Sequence, residues 1–132
     1  MILRPVPPIE LHARWPVIRP WCERVITKTG DRCLPDDVYA EVRAGQAALY
    51  LITEGDDELG FVVCRRVMDP DGPVLFIWQM FAEIGTSKDD LMECLGELAT
   101  GIGAVRVRAY SPRGGLMDGW AKLVMHIYER EL

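Results

Sequence analysis

The sequence predicts an α+β (α/β) fold: a mostly antiparallel mixed sheet of about five to six strands, two N-terminal helices, and a helix joining two parallel strands. Three observations carry this. Residues 15–45 repeat apolar positions at helical spacing. Residues 46–83 switch to alternating or continuously apolar runs broken by tight polar turns. Residues 87–101 return to a helical stripe that leads directly into another strand pattern. Hairpin turns make neighbouring strands antiparallel, whereas a strand–helix–strand passage makes them parallel.

Residues 1–13 are expected as an extended proline-rich arm, because Pro5, Pro7 and Pro8 suit neither a strand ladder nor a helix interior. One domain over 14–132 follows. Trp15, Ile18, Cys22, Val25 and Ile26 give the first helix its stripe, with Pro20 either kinking it or standing in its first turn. The second helix starts at Pro35, whose fixed φ suits a first turn, and Asp36 and Asp37 complement the positive end of the dipole. Gly45 is its expected end cap.

QAALYLIT, LGFVVCRRV and VLFIWQMFAE are three strands joined by EGDDE and DPDGP turns. The third is apolar on both faces and reads as central. Leu91, Met92, Leu95, Leu98, Ala99 and Ile102 form the apolar face of the next helix, with Ser87 and Asp90 spaced like a capping box. AVRVRAY is the following strand. SPRGGLMDGW reads as a glycine-rich connection, and LVMHIYERE as a last strand or a helix.

Composition narrows the function. With 132 residues and 49% hydrophobic content the chain can bury a full core. No apolar run approaches the ~20 residues a bilayer span needs, and the N-terminus lacks the core of a signal peptide, so a cytoplasmic protein is expected. A net charge of −5 argues against nucleic acid as partner; Arg106, Arg108 and Arg113 are the one local basic group, and a solvated strand face explains them. Cys22, Cys33, Cys64 and Cys94 have no zinc or redox spacing, and His12 and His126 are far apart. No metal is expected, and the thiols are expected reduced.

The order of elements resembles the GNAT superfamily of N-acetyltransferases, and most of all the small GNAT-like proteins encoded by tailed bacteriophages and prophages. The likeness runs from Trp15 to about Trp120. It rests on the Trp15–Ile18 helix start, DVYAEVRAGQAALYLI, GFVVCRRV, LFIW, LMECLGELATGIGAVRV, and SPRGG before Gly119–Trp120. The resemblance implies acetyl-CoA as cofactor. Its pantetheine would lie along the main chain at Phe81 and Ala82. Its pyrophosphate would rest on the turn Gly85, Thr86, Ser87 and Lys88, where unpaired N–H groups of a helix start favour anions. It also implies a catalytic base, for which Glu83 is the candidate, and an acid, for which Tyr110 or Tyr128 is.

The family turn reads Gln/Arg-x-x-Gly-x-Gly/Ala. Here those three positions hold Glu83, Thr86 and Lys88, and Gly85 stands one place off. A carboxylate close to the pyrophosphate costs about 1 kcal/mol at surface dielectric, and side chains at 86 and 88 stand where bare backbone is expected. Lys88, Thr86 and Ser87 offset this in part as phosphate ligands. The sequence therefore favours a GNAT-like protein without catalysis or cofactor. It would act by binding a phage or host protein, as a virion or assembly component or a host-directed effector, or by edge-strand self-association. The alternative is an acetyl-CoA-dependent N-acetyltransferase with an atypical pyrophosphate turn. Trp15, Trp21, Trp78 and Trp120 are many for this length, and an exposed one would suit a partner interface.

Overall fold

The computed structural model describes residues 1–109 and 130. Its elements are β1 (Ile2–Val6), α1 (Pro8–Thr29), α2 (Pro35–Arg43), β2 (Ala48–Glu54), β3 (Asp57–Asp69), β4 (Gly72–Ala82), α3 (Lys88–Gly101) and β5 (Arg106–Ala109). The described strands form one sheet in the order β1-β2-β3-β4-β5. All neighbours are antiparallel except β4 and β5, which run parallel on either side of α3. The expected fold class is thereby met. The expected final strand lies outside the described residues.

The N-terminal arm needs correction. Residues 2–6 pair with β2 as a border strand, Pro5 standing opposite Tyr50, and the chain enters α1 immediately at Pro8. Proline is tolerated in a border strand and in a first helical turn, where its missing N–H has no ladder partner to disappoint. Pro16 and Pro20 lie inside α1 rather than at its start. Both are on its exposed side, so water reaches the carbonyls that their missing N–H groups leave unpaired. Gly30 ends the helix at φ 70°, its N–H reaching the Ile26 carbonyl.

Two apolar layers sandwich the sheet. On one face α1 and α2 place Leu11, Ile18, Trp21, Cys22, Val38 and Val42 over Leu49, Leu51, Phe61 and Val63. On the other, α3 places Leu91, Met92, Leu95 and Ala99 over Ile52, Val62, Cys64, Leu75 and Ile77. Trp21 stacks on Phe61 and Phe81, and Trp15 meets Tyr39 edge-on at 5.1 Å. The tryptophans are core-forming: none of the described ones is exposed, and Trp120 lies outside the described residues.

Candidate functional site

The site is built on β4. Against β3 its register slips once. Val63 faces Gln79 and Cys64 faces Ile77, which leaves Trp78 without an opposite residue. This β-bulge breaks the alternation of the strand. Trp78 and Gln79, though consecutive, both turn toward α1 and α2, while Ile77 and Met80 turn toward α3. Among the described residues, parallel pairing with β5 covers Val74–Ile77 only. Beyond the bulge, Trp78–Ala82 runs on toward the start of α3.

The start of β4 is secured differently. Arg106 pairs with Asp69 at 2.8 Å and also with Asp71, and Arg108 pairs with Asp69 at 2.6 Å. The guanidinium of Arg108 beside Asp69, and that of Arg106 beside Asp71, hold both carboxyls below their ordinary range. The arginines read as a solvated basic face thus tie β5 to the β3–β4 turn.

At the far end, β3 and β4 approach closely. A Cβ on Gly60 would meet the Phe81 carbonyl oxygen at 1.9 Å, so only glycine fits there. The Glu83 N–H donates to the Leu59 carbonyl at 2.8 Å, and the Thr86 N–H donates to the Glu83 carbonyl at 3.1 Å. These bonds fold residues 83–86 into a turn with Gly85 at φ 93°. Ser87 caps α3, its Oγ accepting from the Asp90 N–H at 3.3 Å. The spacing of Ser87 and Asp90 had marked that cap correctly.

The structure brings Phe81, Ala82, Glu83, Gly85, Thr86, Ser87 and Lys88 together around this turn. Glu83, Ile84, Gly85 and Ser87 are exposed; Phe81, Ala82, Thr86 and Lys88 are half-buried. Thr86 buries its Oγ1, which has no hydrogen-bond partner. That is an unmet polar group next to a helix start, the kind of group a bound anion satisfies. The turn therefore suits coenzyme A in one respect, a helix start with an unmet hydroxyl beside it. The carboxylates of Glu83, Asp89 and Asp90 oppose it. Tyr110 and Tyr128 lie outside the described residues.

Sequence reasoning missed the partners of Gln79. This buried amide accepts a hydrogen bond from the Cys22 thiol at 3.0 Å and donates one to the Cys33 sulfur at 3.3 Å. Burial pushes the Cys22 thiol up to about 12 and the Cys33 thiol up to about 11, with Asp31 adding to the latter. Both stay protonated near neutrality, as the hydrogen bond from Cys22 requires. The lone glutamine in an apolar strand was the one available signal. All four cysteines are free. Among the described residues no cluster of ligating side chains could hold a metal, and no helix is long and apolar enough to cross a membrane. An open cleft of about 410 Å³ lies elsewhere, among Tyr50, Cys64, Arg66, Leu75, Leu98 and Ile102. It stands at the opposite end of α3 from the turn, and nothing in its lining suggests chemistry.

No family model matches the sequence, and no curated protein matches it significantly. Solved structures do resemble it. A ribosomal-protein-alanine N-acetyltransferase from Brucella melitensis biovar Abortus 2308 superposes with a TM-score of 0.70 over 100% of both chains, at 12% identity. The chain has the GNAT acetyltransferase fold. An aminoglycoside acetyltransferase, meta-AAC0020, from an uncultured soil metagenomic sample gives 0.68 over 98% of this chain and 95% of that one, at 11% identity. A possible acetyltransferase from Clostridium difficile 630 gives 0.62 over 98% and 96%, at 14% identity. At such identities the likeness concerns architecture, and the site must argue for function.

Proposed function

We propose that the protein is an acetyl-CoA-dependent N-acetyltransferase in which a polar turn replaces the glycine-rich one. The observation that carries this is the bulge at Trp78, in the strand that leads into the first turn of α3. A bulge at the middle of a strand costs ladder hydrogen bonds and is kept where it re-aims groups at a site. Here it lies on the path from the main-chain edge of β4 to the first turn of α3, the path a pantetheine–pyrophosphate arm would follow.

In this reading acetyl-CoA supplies the activated acyl group as a thioester. The amine of the acceptor attacks the thioester carbonyl, a C–N bond forms, the C–S bond breaks, and coenzyme A leaves as the thiolate, which takes a proton from solvent to become the thiol. Glu83, exposed at the end of β4, takes the proton from the amine, directly or through water. Lys88, in the first turn of α3, contacts the pyrophosphate. The acceptor is a primary amine, and the structural neighbours suggest a peptide that starts with alanine and an aminoglycoside as first probes.

A second reading keeps one observation on its side. Glu83, Asp89 and Asp90 set three exposed carboxylates around the turn, and Ile84 stands fully exposed among them. A GNAT-like protein without cofactor would use such a surface to bind a phage or host protein in the bacterial cytoplasm or the virion.

Thermal unfolding with acetyl-CoA separates the two. A ligand held only by the native state stabilises it by about 2.7 kcal/mol at a hundred times its Kd. The transferase reading expects a saturable rise in Tm, reduced in Lys88→Glu and followed by release of free thiol with an amine probe. No rise at millimolar acetyl-CoA would falsify it and leave the binding protein.

A further inference from the structure

Gln79 is 2% exposed in the middle of the sheet, directly after the bulged Trp78. Apolar side chains fill that layer elsewhere. An amide there has an oxygen and two N–H groups to satisfy, and its bonds among the described residues are to sulfur: Cys22 of α1 donates to the oxygen, and Cys33, from the connection between α1 and α2, accepts one N–H. Sulfur is a weak donor and a weak acceptor. A buried amide held this way is poor at stabilising a core, and a leucine would pack the position more simply. Its geometry instead adds a polar link among three segments that also pack on one another: the bulge, the body of α1, and residues 31–34.

That connection is ordered by short local bonds. The Cys33 N–H donates to Asp31 Oδ1 at 3.2 Å, and the Leu34 N–H donates to Asp37 Oδ2 at 2.7 Å. Cys33 bonds this segment to Gln79 as well. We infer that Gln79 is a positioning residue: it couples the bulged segment of β4, against which the acetyl end of the cofactor would lie, to the α1–α2 connection, which it holds over the same strand. Filling the cofactor site fixes the bulge, and the amide transmits that constraint to Cys33. The inference rests on the transferase reading proposed above.

Trypsin reports on the connection directly, because Lys28 stands just before it and Arg32 within it. In the native protein, saturating acetyl-CoA is expected to slow cleavage after Lys28 and Arg32 several-fold. Gln79→Leu should keep the acetyl-CoA rise in Tm and lose that protection. Should Gln79→Leu not fold, the pair Cys33→Ala and Cys33→Ser decides. Serine keeps an acceptor for the amide N–H and should keep the protection, whereas alanine should lose it. A purely structural role would alter cleavage equally with and without cofactor. Protection that survives in Gln79→Leu or Cys33→Ala, or is absent from the native protein while Tm still rises, overturns the coupling. Absence of any rise in Tm overturns the transferase reading, and the coupling with it.

Discussion

The two halves of β4 differ in almost everything but their backbone class. From Val74 to Ile77 the strand is paired on both sides, in regular register, and clamped by Asp69 and Asp71 to Arg106 and Arg108. From Trp78 to Ala82 it bulges, carries an amide bonded to two thiols, and presses on Gly60. The first half does what a central strand does, burying Val74, Leu75 and Ile77. The second gives up regular packing at each step. Local rules are broken mainly where something other than stability is being served. The contrast therefore locates the site more sharply than any single residue does.

Variants can break that contrast or sharpen it. Gly60→Ala should have the largest effect, because the new Cβ overlaps main chain that has no rotamer to change. A loss of about 3 kcal/mol or more is expected in urea unfolding, together with loss of the acetyl-CoA rise in Tm. Leu75→Ala, in the first half, should cost about 3 kcal/mol by leaving a cavity, yet leave the acetyl-CoA rise intact. If both variants, or neither, spare cofactor binding, the division of β4 into two halves is wrong.

The halves should also respond to opposite extremes of pH. Burial raises the Cys22 thiol from its ordinary 9.0 to about 12. Its contribution is complete below the unfolded value and fades as pH climbs from there toward the folded one. Unfolding midpoints should fall through that range, and less steeply in Cys22→Ser, whose hydroxyl does not ionise. A slope that Cys22→Ser leaves unchanged assigns the alkaline loss elsewhere. Asp69 behaves in the reverse sense. Its pairing with Arg108 lowers its carboxyl below the ordinary 3.8, so its contribution is present above that value and lost as pH falls below it. The effect is the smallest of the four, since these groups face solvent. Tm measured down an acid series should drop less in Asp69→Asn than in the native protein; parallel curves would remove the clamp from the account.

Much of this architecture was legible from periodicity. The strands β2, β3 and β4, both later helices and the parallel passage through α3 follow from where apolar residues recur, because each element buries one continuous face. The start of the chain was not legible. Pro5, Pro7 and Pro8 read as an arm, since proline is a poor member of most ladders and helices. Only the border position of β1 and the first turn of α1 make it welcome, and both are tertiary facts. The bulge was equally hidden. FIWQM is apolar enough to suit either register, and the slip at Trp78 is decided by β3. Gln79 is a lone amide in an apolar strand, but Cys22 and Cys33 lie far off in the chain and meet it only through the packing of α1. The turn at 83–88 was seen as a departure from the family pattern. The inward hydroxyl of Thr86 was beyond a reading that treats side chains as obstacles.

Pro5 has one more consequence. A proline within a ladder must aim its missing donor away from its partner, so the rim of β1 that no described strand pairs with presents a broken row of N–H groups. A strand from another molecule laid along that rim would find a gap at mid-length. Growth of the sheet into a fibre from this side is thereby discouraged by a single imino acid, with no charged gatekeeper required.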